Sequence, residues 1–167
     1  MLMKCLRNVE KMAKVNYFAY GSNMNPKRME SRNATFSERV LATLENYEFV
    51  LNFKRKNGTA AANIRPKIGS NVHGILYKCD PEVLTILDKY EGVDKNCYKR
   101  EIVSVKSNDK LFDAYVYIAC VQSCDDSLNA VSKVYLNHIL SGCDLLPVNY
   151  ANFLKSFQPL VVDVHDF

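Results

Sequence analysis

A chain of 167 residues, 48% hydrophobic and 24% charged, has the size and composition of one folded domain, which excludes extensive disorder. The formal charge of +4 is spread along the chain, and its densest knot, Lys54-Arg55-Lys56, reads as a solvated hairpin end before Asn57-Gly58 rather than the concentrated basic stripe of a nucleic-acid binder. Six cysteines, at 5, 79, 97, 120, 124 and 143, show no tight pairing, and three histidines complete no zinc spacing, so the chain reads as metal-free, with reduced thiols suited to the cytoplasm.

Residues 1–14 alternate Lys4, Arg7, Lys11 and Lys14 with Leu2, Leu6, Val9 and Met12. They read as a basic extension with no apolar run long enough for a signal peptide or membrane span. With no repeat or linker thereafter, residues 15–167 are expected to form a single domain.

Its first predicted strand, 16–20, runs into Gly21-Ser22-Asn23. Glycine permits a sharp turn and close approach of a ligand to the backbone, and successive freed N–H groups there form a nest for an anion. Tyr17 and Tyr20 fall on opposite faces of an ideal strand, so one of them is expected to face a pocket. A short helix follows at 25–32, with Asn25 as N-cap and Pro26 in the first turn. β-Branched and aromatic runs predict strands at 37–42, 46–54, 60–65 and 71–79. A helix at 81–90 is expected to be capped by Asp80, to carry Val83, Leu84, Leu87 and Tyr90 as its apolar stripe, and to stop at Gly92.

That helix ends on Glu91, a carboxylate at the negative end of the helix dipole, where it is locally disfavoured by up to about 1 kcal/mol. Partial burial there would raise its pKa above the ordinary value of about 4.3, which suits a group that moves protons. Strands at 98–106 and 111–120 complete seven. Helices at 127–140 (Leu128, Val131, Tyr135, Leu136, Ile139) and 147–157 (Tyr150, Phe153, Leu154, Phe157) follow. Strands first and helices late make the class α+β: a small mixed, mostly antiparallel barrel of about six or seven strands with flanking helices and a pocket at its mouth.

The segment Tyr17-Phe18-Ala19-Tyr20-Gly21-Ser22-Asn23 and the helix end Leu87-Asp88-Lys89-Tyr90-Glu91-Gly92-Val93 together resemble the γ-glutamylcyclotransferase family. Weaker support comes from Ala62-Asn63-Ile64-Arg65-Pro66, Val72 to Tyr77, Tyr98, Ala114-Tyr115-Val116-Tyr117, and Ser132-Lys133-Val134-Tyr135 with Ile139 and Gly142. The likeness covers most of residues 15–158. The basic leader has no counterpart, Met24 stands at a variable apolar position, and the stretch 142–147 is shorter than the loop of the glutathione-pathway enzymes. These departures bear on substrate identity more than on reaction type.

The resemblance implies that Glu91 is the catalytic residue and that Tyr17, Phe18, Ala19, Tyr20, Gly21, Ser22, Asn23, Tyr117 and Tyr135 contact substrate. It implies cyclisation of a γ-glutamyl amino acid or peptide to 5-oxoproline, with no cofactor and no metal. The partner is a small γ-glutamyl molecule, with neither nucleic acid nor membrane, and a homodimer is an open arrangement. A γ-glutamylamine substrate and a non-catalytic binding module are the alternatives. Ser22 has no histidine placed to activate it, which argues against a covalent intermediate. Arg65 could grip a substrate carboxylate, although an arginine before proline at a strand end is more often solvated.

Overall fold

A computed structural model describes residues 12–128 and 130–160. Most of the basic extension, with Cys5, and the segment holding His165 lie outside the described residues. Five strands close into a barrel: β1 (Val15–Ala19), β2 (Glu38–Lys54), β3 (Ala60–Cys79), β4 (Tyr98–Ser107) and β5 (Lys110–Ala119), in the order β1-β3-β2-β4-β5. Neighbours pair antiparallel except at the seam, where β1 meets β5 in parallel with Tyr17 opposite Tyr115. The α+β barrel is therefore as expected, but with five strands instead of six or seven.

The count falls because two predicted breaks lie inside continuous strands. Residues 37–42 and 46–54 join as β2, and 60–65 and 71–79 join as β3. Between the pairs Glu45↔Asn71 and Tyr47↔Pro66, β3 places residues 67–70 opposite Asn46 alone. Asn46 (φ 61°) and Gly69 (φ 82°) absorb the bend, and the Gly69 N–H donates to Asn46 Oδ1 at 3.1 Å. Turn-forming residues thus build a bulge that bends the hairpin without ending it. A second bulge, at Asn52, is held from inside: Asn63 Nδ2 donates to Asn52 Oδ1 at 3.0 Å, and Asn63 Oδ1 accepts from the Ala119 N–H at 2.9 Å. The Asn108-Asp109 turn joining β4 to β5 has positive φ at both residues, matching the twist of the strands it connects.

Four short helices pack around the barrel: α1 (Pro26–Ser31), α2 (Glu82–Tyr90), α3 (Lys133–Leu140) and α4 (Val148–Lys155). Asn25 caps α1 as its sequence predicts, accepting from the Lys27 N–H at 3.0 Å. Asp80 does not cap α2, because its carboxylate pairs with Lys14 Nζ at 2.9 Å and Pro81 takes the cap position. Helix α3 starts later than predicted. Asp125 accepts from both the N–H and the hydroxyl of Ser127, Val131 pairs with Pro159, and Ser132 is the N-cap, bonding the Tyr135 N–H. Phe18, Ile64, Val72, Ile75, Leu87, Val105, Val116, Ile139 and Leu154 form the closed interior. Among the described residues no helix is long and apolar enough to cross a membrane.

Candidate active site

The turn after β1 and the end of α2 meet at one mouth of the barrel. Gly21 must be glycine for reasons of space, since a Cβ there would stand 2.9 Å from Ala62 Cβ. The chain then winds one 3₁₀ turn, Ser22–Met24, in which the Met24 N–H donates to the Gly21 carbonyl. The N–H groups that open such a turn have no acceptor within it, which leaves them available to an anion. Tyr77 fixes the turn from below, its hydroxyl lying 2.9 Å from the Asn23 carbonyl and 3.0 Å from that of Met24.

Glu91 arrives from the opposite direction. It is the C-cap of α2, its N–H still donating to the Leu87 carbonyl, and Gly92 (φ 62°) then turns the chain back toward β4. Its side chain is only 17% exposed. Asn23 donates to Glu91 Oε1 at 3.1 Å and to the Tyr17 hydroxyl at 2.9 Å, which uses both amide hydrogens. Arg32 donates to Asn23 Oδ1 at 2.8 Å, and the same guanidinium nitrogen lies 3.7 Å from Glu91 Oε1. Burial raises the Glu91 pKa, while Arg32, the Asn23 hydrogen bond and Arg28 pull it back without cancelling the rise.

A cleft of about 500 Å³ opens over this carboxylate, lined by Ser22, Arg28, Arg32, Arg55, Tyr90, Glu91, Tyr98 and Tyr135 among others. Of the residues implicated by sequence, Ser22, Glu91 and Tyr135 face it. The Tyr135 hydroxyl accepts from the Ala62 N–H at 2.9 Å and stands 3.6 Å from where a Gly21 Cβ would be. Tyr17, Phe18, Ala19 and Tyr20 are buried behind the cleft. Tyr20 donates to the Tyr117 carbonyl at 2.6 Å, and the Tyr117 hydroxyl meets Asp88 Oδ1 at 2.7 Å. Burial first, and then the nearby Glu91 charge, hold the Tyr17 and Tyr20 phenols well above their ordinary pKa, so both stay protonated beside the carboxylate. Arg65 lies away from the cleft, paired with Glu48 and Asp126.

Three arginines at the cleft escaped the sequence reading. Arg28 and Arg32 stand four apart on and just after α1, a spacing that puts both on the face turned toward Gly21 to Asn23 and could have been noticed. Arg32 also packs over the Tyr90 ring at 4.5 Å. Arg55 was grouped with its neighbours as a solvated hairpin end; Lys54 and Lys56 are indeed exposed, but Arg55 turns inward over the Tyr135 ring at 5.2 Å.

Residues 17–135 match the family model described as gamma-glutamyl cyclotransferase, AIG2-like. A curated gamma-glutamylcyclotransferase of Bos taurus is 32% identical over 152 residues, covering 86% of this chain and 78% of that protein. Its Homo sapiens counterpart is 33% identical over the same shares. A solved structure titled gamma-glutamyl cyclotransferase superposes with a TM-score of 0.79 at 24% identity, covering 92% of this chain and 94% of that one, and so agrees in fold. With its barrel, its Tyr17 to Asn23 segment and the helix-end Glu91 all inside or beside the matched span, this chain belongs to the gamma-glutamyl cyclotransferase, AIG2-like family.

Proposed function

We propose that the protein converts a γ-glutamyl amino acid or peptide to 5-oxoproline and the free amino compound. The observation that carries this reading is a largely enclosed carboxylate, held in the wall of a cleft beside the Gly21 to Asn23 turn, whose pKa burial raises. In such a substrate the α-nitrogen attacks the γ-carbonyl carbon, the ring C–N bond forms and the original amide C–N bond breaks. An α-ammonium with a pKa of about 8 cannot attack until it gives up a proton. The attacking nitrogen sheds two protons in all, one before attack and one from the ring nitrogen after the C–N bond forms; Glu91 carries them in turn to the departing nitrogen, which leaves as an ammonium, so atoms and charge balance without an added reactant.

The turn N–H groups would receive either the substrate α-carboxylate or the oxyanion formed from the γ-carbonyl. Holding amine and carbonyl in contact contributes much of the rate, up to roughly 7–11 kcal/mol in well-oriented intramolecular reactions. Five unbridged cysteines among the described residues fit a reducing compartment such as the cytoplasm. The test is 5-oxoproline release from γ-glutamyl amino acids by wild type and Glu91→Gln. Loss of a general base predicts a decrease of about 10²–10⁴-fold. Full activity in a folded Gln variant would refute the mechanism.

A further inference from the structure

The turn whose first N–H groups open beside Glu91 is gripped at its far end by a cation. Arg39, on β2, donates through Nη2 to the Met24 carbonyl at 3.1 Å and to that of Gly142 at 3.4 Å. Asp144 holds the guanidinium in a two-pronged grip, Nη1 to Oδ2 at 2.8 Å and Nη2 to Oδ1 at 2.6 Å. The Arg39 side chain is only 13% exposed, so water competes little for these bonds. Beside it, the buried Tyr77 hydroxyl reaches the Asn23 and Met24 carbonyls. Burial pushes that phenol up to about 12 against the pull of Arg39, so it keeps the proton it donates.

Two strings of peptide groups run from these donors to the opening of the turn. The Met24 carbonyl shares a peptide with the Asn25 N–H, which donates to the Ser22 carbonyl at 3.2 Å, and that carbonyl shares a peptide with the Asn23 N–H. In the same way the Asn23 carbonyl, bonded by Tyr77, leads through the Met24 N–H and the Gly21 carbonyl, 3.0 Å apart, to the Ser22 N–H. Hydrogen bonds in such a chain polarise one another, and a charged donor polarises more than a neutral one. We propose that Arg39, held by Asp144, is a positioning residue: it fixes the Met24 carbonyl and, through Asn25 and Ser22, strengthens the Asn23 N–H as a donor to substrate. This inference rests on the cyclotransferase reading, in which the turn receives the α-carboxylate or the oxyanion of the γ-glutamyl unit. The charges acting on Glu91 are those of Arg32 and Arg28, so Arg39 serves the turn and not the carboxylate.

The experiment follows backbone amide resonances, and 5-oxoproline release from γ-glutamylalanine, in wild type, Arg39→Gln, Arg39→Lys and Tyr77→Phe. In Arg39→Gln the Asn23 and Asn25 amide protons should move upfield while Ser22 moves less. Tyr77→Phe should move Ser22 most. Loss of one charged hydrogen bond predicts a fall of about tenfold in kcat/KM for Arg39→Gln, and Arg39→Lys, which keeps the charge, should recover part of both effects. The acid limb of the pH profile should stay in place. A merely structural role would loosen the whole turn, moving Ser22 and Asn23 alike and drawing the Asn23 side chain off Glu91 so that the limb shifts; that result overturns the inference. So does an Asn23 amide that stays put in Arg39→Gln. Should Arg39→Gln fail to fold, Tyr77→Phe decides, since a Ser22 amide that moves no more than Asn23 refutes the two strings. No 5-oxoproline from wild type overturns the reaction, and the amide resonances, which need no turnover, tell that failure apart from this one.

Discussion

Replacing Asn23 by alanine removes a side chain that is 4% exposed and joins three groups: the Tyr17 hydroxyl, Glu91 and Arg32. Two of its hydrogen bonds involve charged partners, a class worth about 1.5–3 kcal/mol each, but the cleft admits water to Arg32 and Glu91 and recovers part of that. The Tyr17 hydroxyl is enclosed and recovers less. The net loss of stability should be about 2–4 kcal/mol, measurable by urea unfolding.

The same substitution deletes a hydrogen bond that lowers the Glu91 pKa, so the pKa rises further. Glu91 must be ionised to accept the substrate proton. The acid limb of the kcat/KM profile for 5-oxoproline release should therefore move to higher pH in Asn23→Ala. Tyr17→Phe, which removes an acceptor from Asn23 but nothing from Glu91, should leave the limb in place. A limb that stays or moves down in Asn23→Ala would refute the claim that Asn23 tunes the carboxylate.

Glu91 should also register in stability. Its pKa is raised in the folded state, so its contribution is fully present below the unfolded value of about 4.3 and is lost as pH rises through the folded pKa. Relative to wild type, Glu91→Gln should gain stability as pH rises from the unfolded value of about 4.3 through the raised folded pKa, in parallel unfolding titrations. An unchanged difference across that range would show that the carboxylate is not disfavoured by burial. Gly142→Ala should destabilise by more than about 2 kcal/mol, because the new Cβ would stand 2.4 Å from the Met24 carbonyl carbon and 2.6 Å from the Asn25 nitrogen. A thermal midpoint near wild type would mean that α3 can shift away from the substrate turn at little cost.

What the sequence made legible was mostly local. The Asn25-Pro26 start of α1 and the Gly92 stop of α2 depend on backbone chemistry within a few residues, and both appear where expected. Asp80 was misjudged because its partner, Lys14, lies far away in sequence. Leu128 and Val131 have spacing that suits a helical stripe, yet the chain makes a turn from Asp125 to Leu128, and Val131 pairs with Pro159. Asn46 and Gly69 carry ordinary turn signals, and only cross-strand pairing shows that the chain bends there and continues. At the site, Glu91 was legible because a carboxylate at a helix C-terminus is out of place. Arg55 was not, because three adjacent cations look alike until the hairpin turn after β2 sends the middle one inward.

The parallel seam between β1 and β5 has a consequence for assembly. β1 leaves the ribosome first among the strands, yet its partners are β3, with Ala19 opposite Ile75, and β5, with Tyr17 opposite Tyr115. Pairings so distant along the chain form late, since each must overcome the entropy of closing a long loop. The Gly21 to Asn23 turn hangs from the end of β1, and Glu91 sits between β3 and β4, so the two halves of the site come into register only when the last strand closes the ring. A chain halted before β5 would hold Asn23 and Arg32, the partners of the Glu91 carboxylate among the described residues, and still lack the β1–β5 seam that closes the ring.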